Sequence, residues 1–94
     1  MLIDDIKKAS VEAMKARDSI AKGIYSIIVN KYMLLNIEKK EKGEQATDND
    51  MISIISKTLK ELADEKESYL KVNNQEKVNA IAHQEELISK YLPK

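Results

Sequence analysis

Apolar residues recur at helical spacing in four separate stretches of this chain. In residues 2–16, Leu2, Ile6, Ala9 and Ala13 follow one another at steps of four, three and four, with Ile3 and Met14 beside them, so one face of a first helix is apolar. From about residue 19 to 41, Ile20, Ile24, Ile27, Ile28 and Leu35 share one face of a second helix, and Val29, Met33 and Ile37 form another stripe on its other side. A helix apolar around most of its circumference is normally covered on more than one side, which predicts that this one is central. Between about 48 and 72, Met51, Ile52, Ile55, Leu59, Leu62, Tyr69 and Leu70 line a third helix, with Lys66 on the same stripe. On a fourth, Val78, Ile81, Ile88 and Leu92 form a stripe that Ala80, Leu87 and Tyr91 widen.

The breaks between these stretches carry helix-end chemistry. Arg17-Asp18-Ser19 interrupts the first pattern, and the oxygen of Asp18 or Ser19 can accept hydrogen bonds from the free N–H groups of the next helix. Lys39 to Ala46 is charged and lacks apolar periodicity, and Gly43 can take the left-handed conformation that closes a helix. Thr47 or Asp48 then caps the third helix, with Asp48 and Asp50 in the first turn facing the positive end of its dipole. Asn73-Asn74-Gln75 breaks the third helix, and Asn73 with Glu76 spells a capping box for the fourth. So short a connection between two long helices sets them antiparallel. Pro93 makes Leu92 a helix end. Gly23, inside the second helix, is explained if a neighbouring backbone comes close there. The pattern predicts an all-α protein, an antiparallel four-helix bundle forming a single domain over residues 1–94.

Composition narrows the function more than the fold. With 94 residues, 43% of them hydrophobic, the chain can bury one core and not two. Two Gly, one Pro and no Phe or Trp argue against a turn-rich β-sandwich or barrel. Sixteen basic and sixteen acidic residues cancel, so no net field draws the whole molecule to a polyanion or a membrane, and any nucleic-acid contact has to be local. The lack of cysteine removes disulfides, thiolate nucleophiles and Cys-based metal sites, and fits the cytoplasm. The amino terminus shows no signal-peptide pattern. The most apolar run, Ile24 to Leu35, is interrupted by Asn30 and Lys31 and falls short of the roughly 20 residues a membrane helix needs. A soluble, cytoplasmic protein without a membrane partner is expected.

No set of residues for catalysis stands out. His83, the one histidine, lies away from Ile81 and Ile88 and beside Gln84 and Glu85, with no second ligand at useful spacing, and reads as a surface or edge histidine. Asp48 and Asp50 precede Met51 and Ile52 rather than further oxygen ligands, so helix capping explains them. No nucleophile triad, Gly-rich phosphate loop or dinucleotide fingerprint occurs, and no catalytic, cofactor-binding or metal-ligating residue is assigned. Lys39, Lys40 and Lys42 alternate with Glu38, Glu41 and Glu44, a solvated pattern. Lys15, Arg17 and Lys22 cluster around the first turn with only Glu12 and Asp18 nearby, which makes them the candidate nucleic-acid contacts. Val29, Met33 and Ile37, with Leu34 beside them, are either buried by another helix or form a docking surface for another segment or subunit.

Several of these stretches, taken in order, resemble the YqeY family. Met14-Lys15-Ala16-Arg17-Asp18 resembles its early motif, and Ile24 to Ile28 falls where its apolar helix follows. Thr47-Asp48 resembles its Thr-Asp helix start, Glu67-Ser68 its Glu-Ser pair, and Glu86-Leu87-Ile88-Ser89-Lys90-Tyr91-Leu92-Pro93 the signature closing its fourth helix. The resemblance implies a fold shared with the tail of the B subunit of tRNA-dependent amidotransferases, which is understood to contact tRNA while a separate domain performs the amide chemistry. It further implies an accessory or helper role in glutamine-dependent amidation, with tRNA, an amidotransferase or another protein subunit as partner, and no active site of its own. Family members carry an Arg near the positions of Tyr25 or Ser26, and an Arg-rich patch before the Glu-Ser pair, where this chain has Ala63-Asp64-Glu65-Lys66. They also continue past Tyr-Leu-Pro into a second, smaller helical portion, so the chain corresponds to the family's amino-terminal part.

Overall fold

Four helices run through residues 1–93, the part of the chain that the computed structural model describes. They are α1 (Leu2–Lys15), α2 (Ser19–Glu41), α3 (Asp48–Lys71) and α4 (Gln75–Ser89), with no strand among the described residues. The chain is all-α, as its periodicity predicts. α2 packs against all three other helices, while α1 and α2, and α3 and α4, form the two closest pairs. Lys39 meets Asp50 at 2.6 Å and Lys31 meets Glu61 at 3.4 Å, so α3 runs back along α2 in the opposite direction. The molecule measures 48 × 28 × 25 Å, its long dimension following the helices.

The same chain reversal ends three of the helices. After α1, the N–H of Asp18 bonds to the Ala13 carbonyl and that of Arg17 to Met14; after α2, Glu44 bonds to Lys39 and Gly43 to Lys40; after α3, Asn74 bonds to Tyr69 and Asn73 to Leu70. Each motif puts one residue in the left-handed region: Arg17 at φ 59°, Gly43 at φ 77° and Asn73 at φ 57°. Glycine and asparagine are the usual occupants of this position, whereas a side chain such as arginine costs roughly 1 kcal/mol there. The next helices begin on side-chain caps. Asp18 accepts from Ala21 N–H at 3.0 Å, and Thr47 and Asp50 form a reciprocal capping box. On α4 the cap is Asn74, accepting from Lys77 N–H at 3.2 Å, and not the predicted pair of Asn73 and Glu76. Asn73 is already committed to closing α3, which moves the cap one residue on.

Ile6, Ile24, Ile28, Met51, Ile55 and Ile88 are fully buried, so every helix sends at least one side chain to a common core. Burying each one stabilises the fold by about 1.5–3 kcal/mol before the entropy of ordering is set against it. The α2–α3 loop is tied to this core despite its charged composition. Ala46 is buried, its N–H donating to Asn36 Oδ1 and its carbonyl accepting from the Tyr32 hydroxyl, each at 3.0 Å. Asp48 Oδ1 accepts from Leu2 N–H at 3.0 Å, anchoring the start of α1 to the start of α3. Lys66, on the stripe of α3, turns its ammonium to Glu85 at 2.6 Å.

Two expectations for α2 are corrected. Ile24 and Ile28 are buried, but Ile20 and Ile27, predicted on the same face, are exposed. Around Gly23 no backbone closes in: a Cβ there would meet only the Gln84 side-chain nitrogen, at 3.9 Å. The packing of this fold does not require the glycine.

Candidate binding surfaces

The α1–α2 turn is rigid because both its ends are fastened. The chain reversal at Arg17 closes α1, and Asp18 caps α2 with one carboxylate oxygen while the other meets His83 Nε2 at 3.1 Å. Gln84 on the same turn of α4 donates to the Ile20 carbonyl at 3.0 Å. The Ala21 N–H, followed by the His83 hydrogen bond, holds the Asp18 carboxyl below its ordinary range. The one carboxylate in the turn is thus already engaged by groups other than the nearby basic side chains.

Those basic side chains point outward. Lys15, Arg17 and Lys22 are all exposed, and none forms an ion pair among the described residues. Arg17 and Lys22 line one open depression of about 250 Å3 with Ala13, Met14, Asp18 and Ser19, while Lys15 stands outside its lining. In contrast, Lys39 of the second basic group is bound to Asp50, which raises its own pKa and lowers that of the carboxyl.

The predicted docking stripe divides. Val29 is half-buried against the core, whereas Met33 and Ile37 remain exposed, at 49% and 56%. They belong to a wider outward face with Leu34 at 63%, Ile27 at 46% and Ile20 at 39%. The sequence pattern puts Ile20 and Ile27 on one face with Ile24 and Ile28, because a helix apolar on nearly every side gives no internal sign of which side its neighbours cover. His83 is also more than an edge residue: its partner Asp18 lies 65 positions away, beyond the reach of any local pattern.

Nothing in the remaining geometry suggests chemistry. Among the described residues, no three His, Cys, Asp or Glu side chains come together to hold a metal ion, and no buried side-chain nitrogen or oxygen lacks a hydrogen-bond partner. No helix among them is long and apolar enough to cross a membrane. What the fold presents is a small helical domain with two open surfaces, the basic turn and the outward face of α2. The family model described as Yqey-like protein matches residues 3–94, and the chain belongs to that family. Comparisons with curated proteins and with solved structures each gave no match.

Proposed function

We propose that this protein is a non-catalytic accessory module in glutamine-dependent tRNA amidation, touching tRNA phosphates through Lys15, Arg17 and Lys22. The observation that carries this reading is the state of the turn: Arg17 and Lys22, with Lys15 nearby, are exposed and form no ion pair among the described residues, and the carboxylate beside them caps a helix and meets a histidine. Arg17 adds to it. A residue held in a left-handed backbone where glycine would relieve strain is an outlier that function can explain. Membership of the YqeY-like family supports the reading, since the link to amidation rests on that family's resemblance to the amidotransferase tail.

The test is tRNA binding measured over a range of salt concentrations. Replacing Lys15, Arg17 and Lys22 with Ala should weaken binding and flatten the log–log salt slope by roughly 2 to 3, one unit for each lost phosphate contact. Arg17→Gly alone should raise stability by about 1 kcal/mol while loosening tRNA, a trade that a purely structural arginine would not produce. Unchanged affinity and slope in the triple variant would remove the RNA assignment.

A second reading, a protein-interaction module, is favoured by the outward face of α2, where Met33, Leu34 and Ile37 stand open to water.

A further inference from the structure

We propose that two copies of this chain pair antiparallel through the outward face of α2, in the register that sets Gly23 of each against Leu34 of the other. The proposal rests on the docking reading of α2 and names the partner as the chain itself.

The outward arc of α2 holds Ile20, Gly23, Ser26, Ile27, Asn30, Met33, Leu34 and Ile37. None of these eight is charged, although 34% of the chain is Asp, Glu, Lys or Arg; charge begins at the edges of the arc, with Glu38 one residue past Ile37 and Lys7 of α1 beside Asn30 and Met33. Six of the eight alternate at steps of three and four: Ile20, Gly23, Ile27, Asn30, Leu34 and Ile37. That is the spacing of a coiled-coil seam, and it lies on the exposed side of the helix, with the Gln84 side chain alongside its Ile20–Gly23 end.

The order of side chains along the seam selects direction and register. Turning the helix end for end about the midpoint between Ile28 and Val29 maps the seam onto itself. Ile20 then faces Ile37, Gly23 faces Leu34, and Ile27 faces Asn30. The most exposed apolar side chain of the stripe therefore meets the one seam position without a side chain. A parallel pair would put Gly23 on Gly23 and Leu34 on Leu34, leaving a void in one layer and crowding another. A shift by one heptad in the antiparallel pair loses two of the six layers. Gly23, which nothing within the fold requires, acquires a physical reason in this register. The two Asn30 amides fall in adjacent layers on either side of the symmetry axis, where a polar pair lowers affinity and fixes alignment.

The size of the patch sets the strength. The five apolar side chains expose on the order of 500 Å2 per chain, so pairing removes at most roughly 1,000 Å2, near the lower limit for a specific interface. A reversible dimer with a dissociation constant in roughly the micromolar to high-micromolar range is expected.

Because the chain has no cysteine, introduced ones report on the interface without background. Sedimentation of the intact chain between about 5 and 500 µM should show monomer passing to dimer. Mild oxidation of a mixture of Gly23→Cys and Leu34→Cys chains should link unlike chains in preference to like ones. Gly23→Leu should weaken dimerisation by about tenfold or more, since its added volume meets Leu34 of the second copy, and adding Leu34→Ala should recover most of that loss. Helical circular dichroism at low concentration keeps a folding defect separate from lost pairing. A monomer across the whole range overturns the proposal, even where Leu34→Asp releases some other subunit and so upholds the docking reading. A dimer in which Gly23→Cys chains link chiefly to themselves overturns it equally, because that marks parallel pairing.

Discussion

The hydroxyl of Tyr32 offers a test of how the α2–α3 loop is held, because Tyr32→Phe removes that group and leaves the ring. Tyr32 is 6% exposed and Ala46 is 4% exposed, so the carbonyl that loses its donor has little access to water. Leaving such an acceptor unpaired costs about 1–2 kcal/mol, which in a domain of this size lowers the melting temperature by roughly 4–8 °C per kcal/mol. The pH dependence gives a second signature. Burial, followed by the negative charges of Asp48, Asp50 and Asp4, raises the Tyr32 pKa above its ordinary value of 10.0. The folded state therefore holds this proton after the unfolded chain has released it, and stability intact below about pH 10 falls as the pH rises towards the raised folded value. The variant has no such group. Tyr25 and Tyr91, whose pKa values burial also raises, are common to both proteins and cancel in the difference. Thermal melts of the two proteins at pH 7 and above pH 10 should show a gap that narrows at the higher pH. Equal melting temperatures at pH 7, or a gap that stays constant with pH, would refute the account of the loop.

Two further outcomes follow from the core and from the caps. Ile55, fully buried on α3, should cost about 2–5 kcal/mol when replaced by Ala, read as a lower urea midpoint with an unchanged slope; a loss below about 1 kcal/mol would mean that the site collapses without a cavity. The carboxyls of Asp18 and Asp50 both have lowered pKa values, Asp18 through the Ala21 N–H and then His83, Asp50 through Lys39 and then the Thr47 N–H. A lowered folded pKa contributes stability that is present above the ordinary value of 3.8 and disappears as the pH drops through the folded one. Asp50→Asn should accordingly melt below the wild type at pH 6 and close to it near pH 2; a constant difference would sink that assignment.

The helices and most of their ends were legible in the sequence because they are set by neighbours within a few residues. Asp18, Gly43 and Thr47 all act where local spacing puts them. The cap of α4 was misplaced because Asn73 and Asn74 suit either role, and the choice is made by the closure of the preceding helix. Long-range features were out of reach. Ala46 is buried through Asn36 and Tyr32, residues on the preceding helix whose side chains meet the loop only after it folds back. The two faces of α2 could not be told apart either, since Ile20 and Ile27 are chemically the same as Ile24 and Ile28, and only the positions of the neighbouring helices separate them. Of the candidate sites, the basic turn was local enough to find, whereas the full width of the apolar face was not.

The two surfaces share one helix, and their placement decides whether they can influence each other. The basic turn stands at the amino-terminal end of α2, and the seam runs from there along its outward side. In an antiparallel pair centred between Ile28 and Val29, the two basic turns lie at opposite ends, roughly 30 Å apart along the seam at 1.5 Å per residue. Each turn is braced by its own α4 through Asp18, His83 and Gln84, and Gln84 also lies beside Gly23, so the brace adjoins one end of the proposed seam. The proposed pairing brings in a second copy of the basic turn formed by Lys15, Arg17 and Lys22. Any gain in affinity for RNA has to come from one molecule bridging both ends, and it scales with the effective concentration set by that span. If both proposals hold, a short duplex that reaches one end alone is expected to bind a monomer and a dimer equally well per chain, whereas an RNA long enough to span the pair is expected to separate them.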